Sequence, residues 1–130
     1  LRIKIRKLIN QLKKNGLTFE KFNLTLNNLN KSDAAIKFYV KKNIKENTKK
    51  LNIKKSVIIN EFFFNQPDEI VFRSLSELIY NVGNKMGYTR GKKILGLIKN
   101  IKTMKNFKKE TLSGCIFKKV NKSIIISQEI

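Results

Sequence analysis

The spacing of apolar residues changes near Gly114, and that change constrains the fold more than any other feature of the chain. Upstream, apolar side chains recur mostly every three or four positions, the period of a helix that buries one face. In the closing stretch ETLSGCIFKKVNKSIIISQEI, residues 110–130, the period drops to two and β-branched residues take over, which is the pattern of a strand. A chain that carries both periods in this order is α+β, with helices in the majority.

The helical part divides at its punctuation. Ile5, Leu8, Ile9 and Leu12 mark a helix over 2–15, and Gly16 is placed to stop it in a left-handed conformation. Thr18 is placed to cap the next helix, with Glu20 in its first turn and Phe19, Phe22, Leu26 and Leu29 as its stripe. Ser32 and Asp33 either start or merely interrupt a further helix through Ile36, Val40 and Ile44, reaching towards Leu51. The two stretches can also be one long helix, because Asn27, Asn28 and Asn30 each weaken it only slightly.

SVIINEFFF, residues 56–64, is short, β-branched and aromatic, and predicts a buried strand running into a turn. Gln66-Pro67-Asp68-Glu69 then gives a strong helix start, with proline where a missing N–H costs nothing and two acids at the positive end of the dipole. Ile70, Val71, Leu75, Leu78, Ile79 and Val82 form its inner face, and Gly83 ends it. A last helix from about Arg90 points Ile94, Leu95, Ile98, Ile101 and Met104 inward and Lys92, Lys93, Lys99, Lys102 and Lys105 outward. The tail predicts a hairpin turning at Val120-Asn121-Lys122-Ser123, where asparagine tolerates positive φ. A lone hairpin is marginal in water, and residues 56–60 are the available third strand. The expected organisation is a helical region over 1–54 and a small C-terminal α+β domain over 55–130.

Composition then narrows the chemistry. The chain has 130 residues and a net charge of +20, from 29 Lys plus Arg against 9 Asp plus Glu, so it attracts polyanions. It contains no histidine, the usual acid–base group near neutral pH and the commonest metal ligand. A single cysteine, Cys115, allows no disulfide and no zinc spacing, which fits a reducing cytoplasm. No apolar run approaches the ~20 residues that span a bilayer. Asp33, Asp68 and Glu69 read as helix caps rather than catalytic acids, and Cys115, following Gly114, reads as core filler. No catalytic, cofactor-binding or metal-ligating set is expected within these residues.

Basic stretches carry the positive signal: RIKIRK at 2–7, KKNIKENTKKLNIKK at 41–55, and TRGKK at 89–93 with the helix that follows. The middle stretch reads equally as a solvated face or a phosphate-binding one. The candidate RNA contacts are Arg2, Arg6, Arg90, Lys92, Lys93, Lys118, Lys119 and Lys122, together with Tyr88, which can stack on a base or pack in the fold.

The order YTRGKKILGLIKNIK, then ETLSGCIFKK, a short turn and IIISQE resembles the C-terminal part of the tRNA(Ile)-lysidine synthetase family, its alphaproteobacterial form in particular. In that family a Tyr-Pro-Pro-Arg lead-in opens a helix, Thr-Leu-Gly-Gly with Cys or Ala follows, and a strand ends in Arg-Glu. Here the corresponding residues are Tyr88-Thr89-Arg90, Thr111-Leu112-Ser113-Gly114-Cys115 and Gln128-Glu129, so the prolines, one glycine and the last arginine are changed. The start, LRIKIRKLINQLKKNGL, is similar to the family's Arg-x-Arg-Ile-Arg-x-x-Leu-x-Pro-x-Leu segment; Arg2 and Arg6 match, Lys4 replaces an arginine and Asn10 stands near the expected proline. NKSDAAI resembles the family's Ala-Asp-Ala-Ala helix.

The resemblance implies a cytoplasmic ligase that uses ATP, with Mg, to adenylate the wobble cytidine of CAU-anticodon tRNA(Ile) and joins lysine to it, changing decoding from Met to Ile. That chemistry belongs to an N-terminal domain with a Ser-Gly-Gly-x-Asp-Ser loop, which these residues do not contain. The chain starts at Leu1, and the expectation is a piece of a longer protein, inactive alone, that holds the tRNA for a neighbouring catalytic domain binding ATP and lysine. The competing expectation is a stand-alone RNA- or ribosome-binding module without catalysis. A protein lying on anionic membrane ranks last, because the stripes look like core faces.

Overall fold

The structure is a computed structural model, and it describes residues 2–16, 18–51, 55–83, 90–103 and 105–129. It divides into two compact units, Leu1–Ala35 and Ile36–Ile130. The boundary falls earlier than 54/55, because residues 36–50 hydrogen-bond and pack into the second unit.

The first unit holds helix α1 (Arg2–Lys14) and the beginning of helix α2 (Phe19–Asn47). Gly16 stops α1 at φ 93°, and the Lys21 backbone N–H donates to Thr18 Oγ1 at 3.1 Å to cap α2, both as the sequence predicts. No described residue of 2–35 is buried. Asp33 does not cap a helix: α2 runs through Ser32 and Asp33 without a break, since the asparagines before them cost too little to end it.

In the second unit α2 stops at Asn47, short of Leu51, and Thr48–Lys50 forms an unexpected strand, β1. Its neighbour β2 (Val57–Ile59) is the core of the expected 56–64 strand. The aromatics after it coil into a 3-10 turn, Glu61–Asn65, because the Asn60 side chain accepts from the Phe63 N–H at 3.2 Å and caps the turn. Phe63 and Phe64 are buried nonetheless.

Helix α3 (Asp68–Val82) buries all six expected residues, and Ser74 with them. Gly83 ends it at φ −88°, not in the left-handed region. Glycine is needed there for space: a Cβ would lie 2.6 Å from the Ser113 carbonyl oxygen and 3.0 Å from Cys115 Sγ. Helix α4 (Gly91–Thr103) buries Ile94, Leu97 and Ile98. Leu95, expected inward, is 55% exposed; Leu97 takes its place because the 94, 97, 98 spacing keeps to one face. Met104 lies outside the described residues.

The tail contributes β3 (Lys109–Leu112), β4 (Cys115–Val120) and β5 (Ser123–Gln128). The predicted hairpin joins β4 to β5 with Asn121 at φ 57°. A second hairpin precedes it, turning at Ser113 (φ 51°) and Gly114 (φ 78°). The sheet is therefore larger than the hairpin-plus-one expected: five antiparallel strands in the order β1-β2-β5-β4-β3, with β2 pairing β5 as the sequence allowed. One face, with Val57, Ile59, Cys115, Phe117, Ile124 and Ile126, joins α3 and α4 in a single core.

A polar network ties α2 into this unit. Buried Asn43 donates from Nδ2 to Ser74 Oγ at 3.2 Å and accepts from Asn47 Nδ2 at 2.8 Å, and Asn47 Oδ1 accepts from Asn60 Nδ2 at 3.3 Å. Its members satisfy one another's polar groups, which is what makes a buried amide tolerable.

Candidate nucleic-acid interface

Side chains alternate across a sheet, so the strand register assigns every residue to the core face or its reverse. On the reverse face the pairs Lys49↔Ile58, Ile58↔Ile125, Ile125↔Lys118 and Lys118↔Lys109 form one continuous row across all five strands. The row has isoleucines at its centre and lysines at both ends. Four strand spacings of ~4.8 Å separate the backbones of Lys49 and Lys109 by ~19 Å. Lys49, Lys109 and Lys118 are exposed, while Ile58 and Ile125 are half-buried.

Lys109 and Lys118 stand directly opposite each other on neighbouring strands. Like charges so placed destabilise a sheet, and a bound anion offsets that cost. No aromatic ring lies among the described residues of this face, so it offers ammonium groups to phosphates rather than a platform for bases.

The predicted contacts do not gather at one place. Lys118 lies on the reverse face, whereas Lys119, one residue on, belongs to the opposite face of β4. There Lys119, Lys122 and Lys102 line a cleft of about 300 Å³ beside Ile124, with Glu61 the one acid among the described residues that line it. Arg90, Lys92 and Lys93 are all exposed at the start of α4, where the Arg90 carbonyl accepts from the Lys93 and Ile94 N–H groups at 3.0 and 3.3 Å. A helix start is the positive end of its dipole and is ordinarily lined with acids; the first turn of α4 has none. Arg2 and Arg6, four residues apart and exposed on α1, belong to the other compact unit. Tyr88 lies outside the described residues.

Sequence reading did not name Lys109, and it included Lys49 only within the basic stretch 41–55 without singling it out. Lys49 was hidden because a helix was expected to run through it, and Lys109 because β3 was not foreseen; its alternation with Thr111 against Glu110 and Leu112 was the available signal. An exposed aromatic pair on α2, Phe38 and Tyr39, was missed as well.

The remaining reactive group is Cys115, fully buried, with Sγ 3.5 Å from the Ile79 carbonyl oxygen. Burial pushes its thiol from 9.0 up to about 11, which keeps it protonated and unreactive, as core filler should be. Among the described residues no three metal-ligating side chains gather, and no helix is long and apolar enough to cross a membrane.

No family model, curated protein or solved structure matches this chain.

Proposed function

We propose that this chain binds RNA through its basic surfaces, and that the RNA is a tRNA. The observation that carries the reading is the row Lys49, Ile58, Ile125, Lys118, Lys109, in which a sheet accepts like charges side by side on the face turned away from its core. Phosphate contacts of this kind position a nucleic acid without reading its sequence, which suits a part that holds a substrate for a reaction performed elsewhere.

The finer reading follows from the resemblance: the chain is the tRNA-holding part of a cytoplasmic tRNA(Ile)-lysidine synthetase, and CAU-anticodon tRNA(Ile) is its partner. Gly83 is occupied by close packing on Ser113 and Cys115, and a Cβ on Gly91 would meet the Phe72 ring at 3.2 Å, so neither glycine cradles a phosphate. On this reading ATP, Mg and lysine belong to a catalytic domain outside these residues.

Two experiments test it in turn. Equilibrium binding to tRNA, duplex DNA and heparin asks whether RNA is preferred; equal affinity for all three would reduce the chain to a general polyanion binder. Translation of the coding region upstream of Leu1 then asks for a Ser-Gly-Gly-x-Asp-Ser loop between a strand and a helix. With it, ATP- and lysine-dependent modification of the CAU-anticodon tRNA is expected; without it, the stand-alone RNA-binding module is the better account.

A further inference from the structure

The second half of α2 has two faces of opposite character. Val40, Asn43, Ile44 and Asn47 turn into the fold, held by the Asn43–Ser74 hydrogen bond. Phe38, Lys41, Lys42 and Lys45 are spaced i, i+3, i+4 and i+7 on the face turned away, and Phe38, Lys41, Lys42 and Lys45 all carry solvent-facing surface. Phe38 is 63% exposed. Tyr39 beside it is 53% exposed, and the two rings meet edge to face with centroids 5.4 Å apart.

We propose that Phe38 and Tyr39 are a stacking platform for unpaired nucleotides of the bound RNA, with Lys41, Lys42 and Lys45 following its phosphates along the helix. This inference rests on the reading that the chain binds RNA, and it adds a second mode of contact. The sheet row has charge without rings and suits a backbone; this helix face has rings among charges and suits bases freed from pairing. Seven residues of helix place Lys45 ~10 Å beyond Phe38 along the axis, enough to follow more than one phosphate.

Charge and pattern choose this occupant over others. A protein helix would need an apolar stripe, but Phe38 is the one large apolar residue among the lysines at its spacing. Duplex nucleic acid offers no free base face to the rings.

The test compares a single-stranded oligouridylate with a fully paired RNA of equal phosphate number, both binding the whole chain. Phe38→Ala with Tyr39→Ala should weaken oligouridylate binding roughly tenfold or more, with an unchanged salt dependence and unchanged duplex affinity. Phe38→Tyr with Tyr39→Phe, which keeps both rings, should restore it. Lys41→Ala with Lys42→Ala and Lys45→Ala should instead flatten the salt dependence. Both sets of substitutions lie outside the core, and an unchanged circular dichroism spectrum confirms that the variants fold.

Unchanged oligouridylate affinity in the ring-less variant overturns the platform while leaving RNA binding intact. Wild-type protein that binds neither RNA overturns both. A ring-less variant that keeps its RNA affinity and loses binding to phosphatidylserine vesicles would assign the face to a membrane surface and overturn the proposal.

Discussion

In Ile36–Ile130, Phe63, Phe117 and Leu75 have no exposed surface, whereas in Leu1–Ala35 Leu8, Phe19 and Leu29 keep 55%, 75% and 60% of theirs. Both regions carry amphipathic helices with regular apolar stripes. What differs is the presence of a sheet. One face of five strands gives α3 and α4 a second layer to cover, and a core closes between them. Two consecutive helices have only one face each to share, and they cover too little of either to bury a residue. Apolar periodicity therefore specifies a helix and its orientation, but a core needs a further layer.

The largest effect should separate the two regions directly. Phe117→Ala is expected to cost about 3–5 kcal/mol, the range for truncating a fully buried aromatic. Leu8→Ala on α1 should stay within about 0.5 kcal/mol, the usual range for a surface position. Urea denaturation of both variants checks this; comparable losses would mean that the first unit hides a core of its own.

Glycines sharpen the contrast at the next level. Gly83→Ala forces a methyl group against the Ser113 carbonyl, and overpacking of this kind should cost about 1–3 kcal/mol. Gly16→Ala meets no atom within 4 Å and strains only a φ of 93°, at about 1–2 kcal/mol. The first should shift the global unfolding midpoint, and the second should reduce helical ellipticity while leaving that midpoint in place.

The smallest effect is one of pH. The Cys115 thiol is raised to about 11 in the fold from 9.0, so the unfolded chain releases this proton first as pH rises. Its contribution to stability is whole below pH 9.0 and is lost as pH climbs through about 11. The stability difference between wild type and Cys115→Ala, measured by urea midpoints from pH 8 upward, should shrink over that window. The first unit has no cysteine and should not add to it.

Much of this architecture was legible in the sequence, for reasons that differ by element. The inner face of α3 was fully readable because Pro67, Asp68 and Glu69 fixed its start and the apolar spacing did the rest. The last hairpin was readable from Asn121 between β-branched runs. Strands β1 and β3 were not, because TKK and KETL are short, charged edge strands whose identity comes from their partners, not from their own propensity. Leu95 and Leu97 are two residues apart with equal hydrophobicity, and the 94, 97, 98 spacing that favours Leu97 is only one residue's shift from the one that would bury Leu95.

The candidate interface was legible as charge and not as geometry. Lys118 could be named from the tail, but its alignment with Lys109 and Lys49 depends on pairings between strands far apart in sequence. Asn43 looked like one more asparagine in a lysine-rich helix, and nothing local marked it as the buried anchor of α2. Phe38 and Tyr39 carried the opposite ambiguity, since an aromatic next to Val40 reads as part of a core stripe until the fold shows which way it turns.

The most direct test of the account is the slope of log affinity for tRNA against log salt concentration, for wild type and for Lys49→Ala with Lys109→Ala and Lys118→Ala. If the row across the sheet holds phosphates, wild-type affinity should fall steeply with salt. The triple variant should then bind with a slope shallower by about 2–3, at about 0.7–0.9 for each phosphate the protein no longer neutralises. An unchanged slope in a folded triple variant would contradict the account.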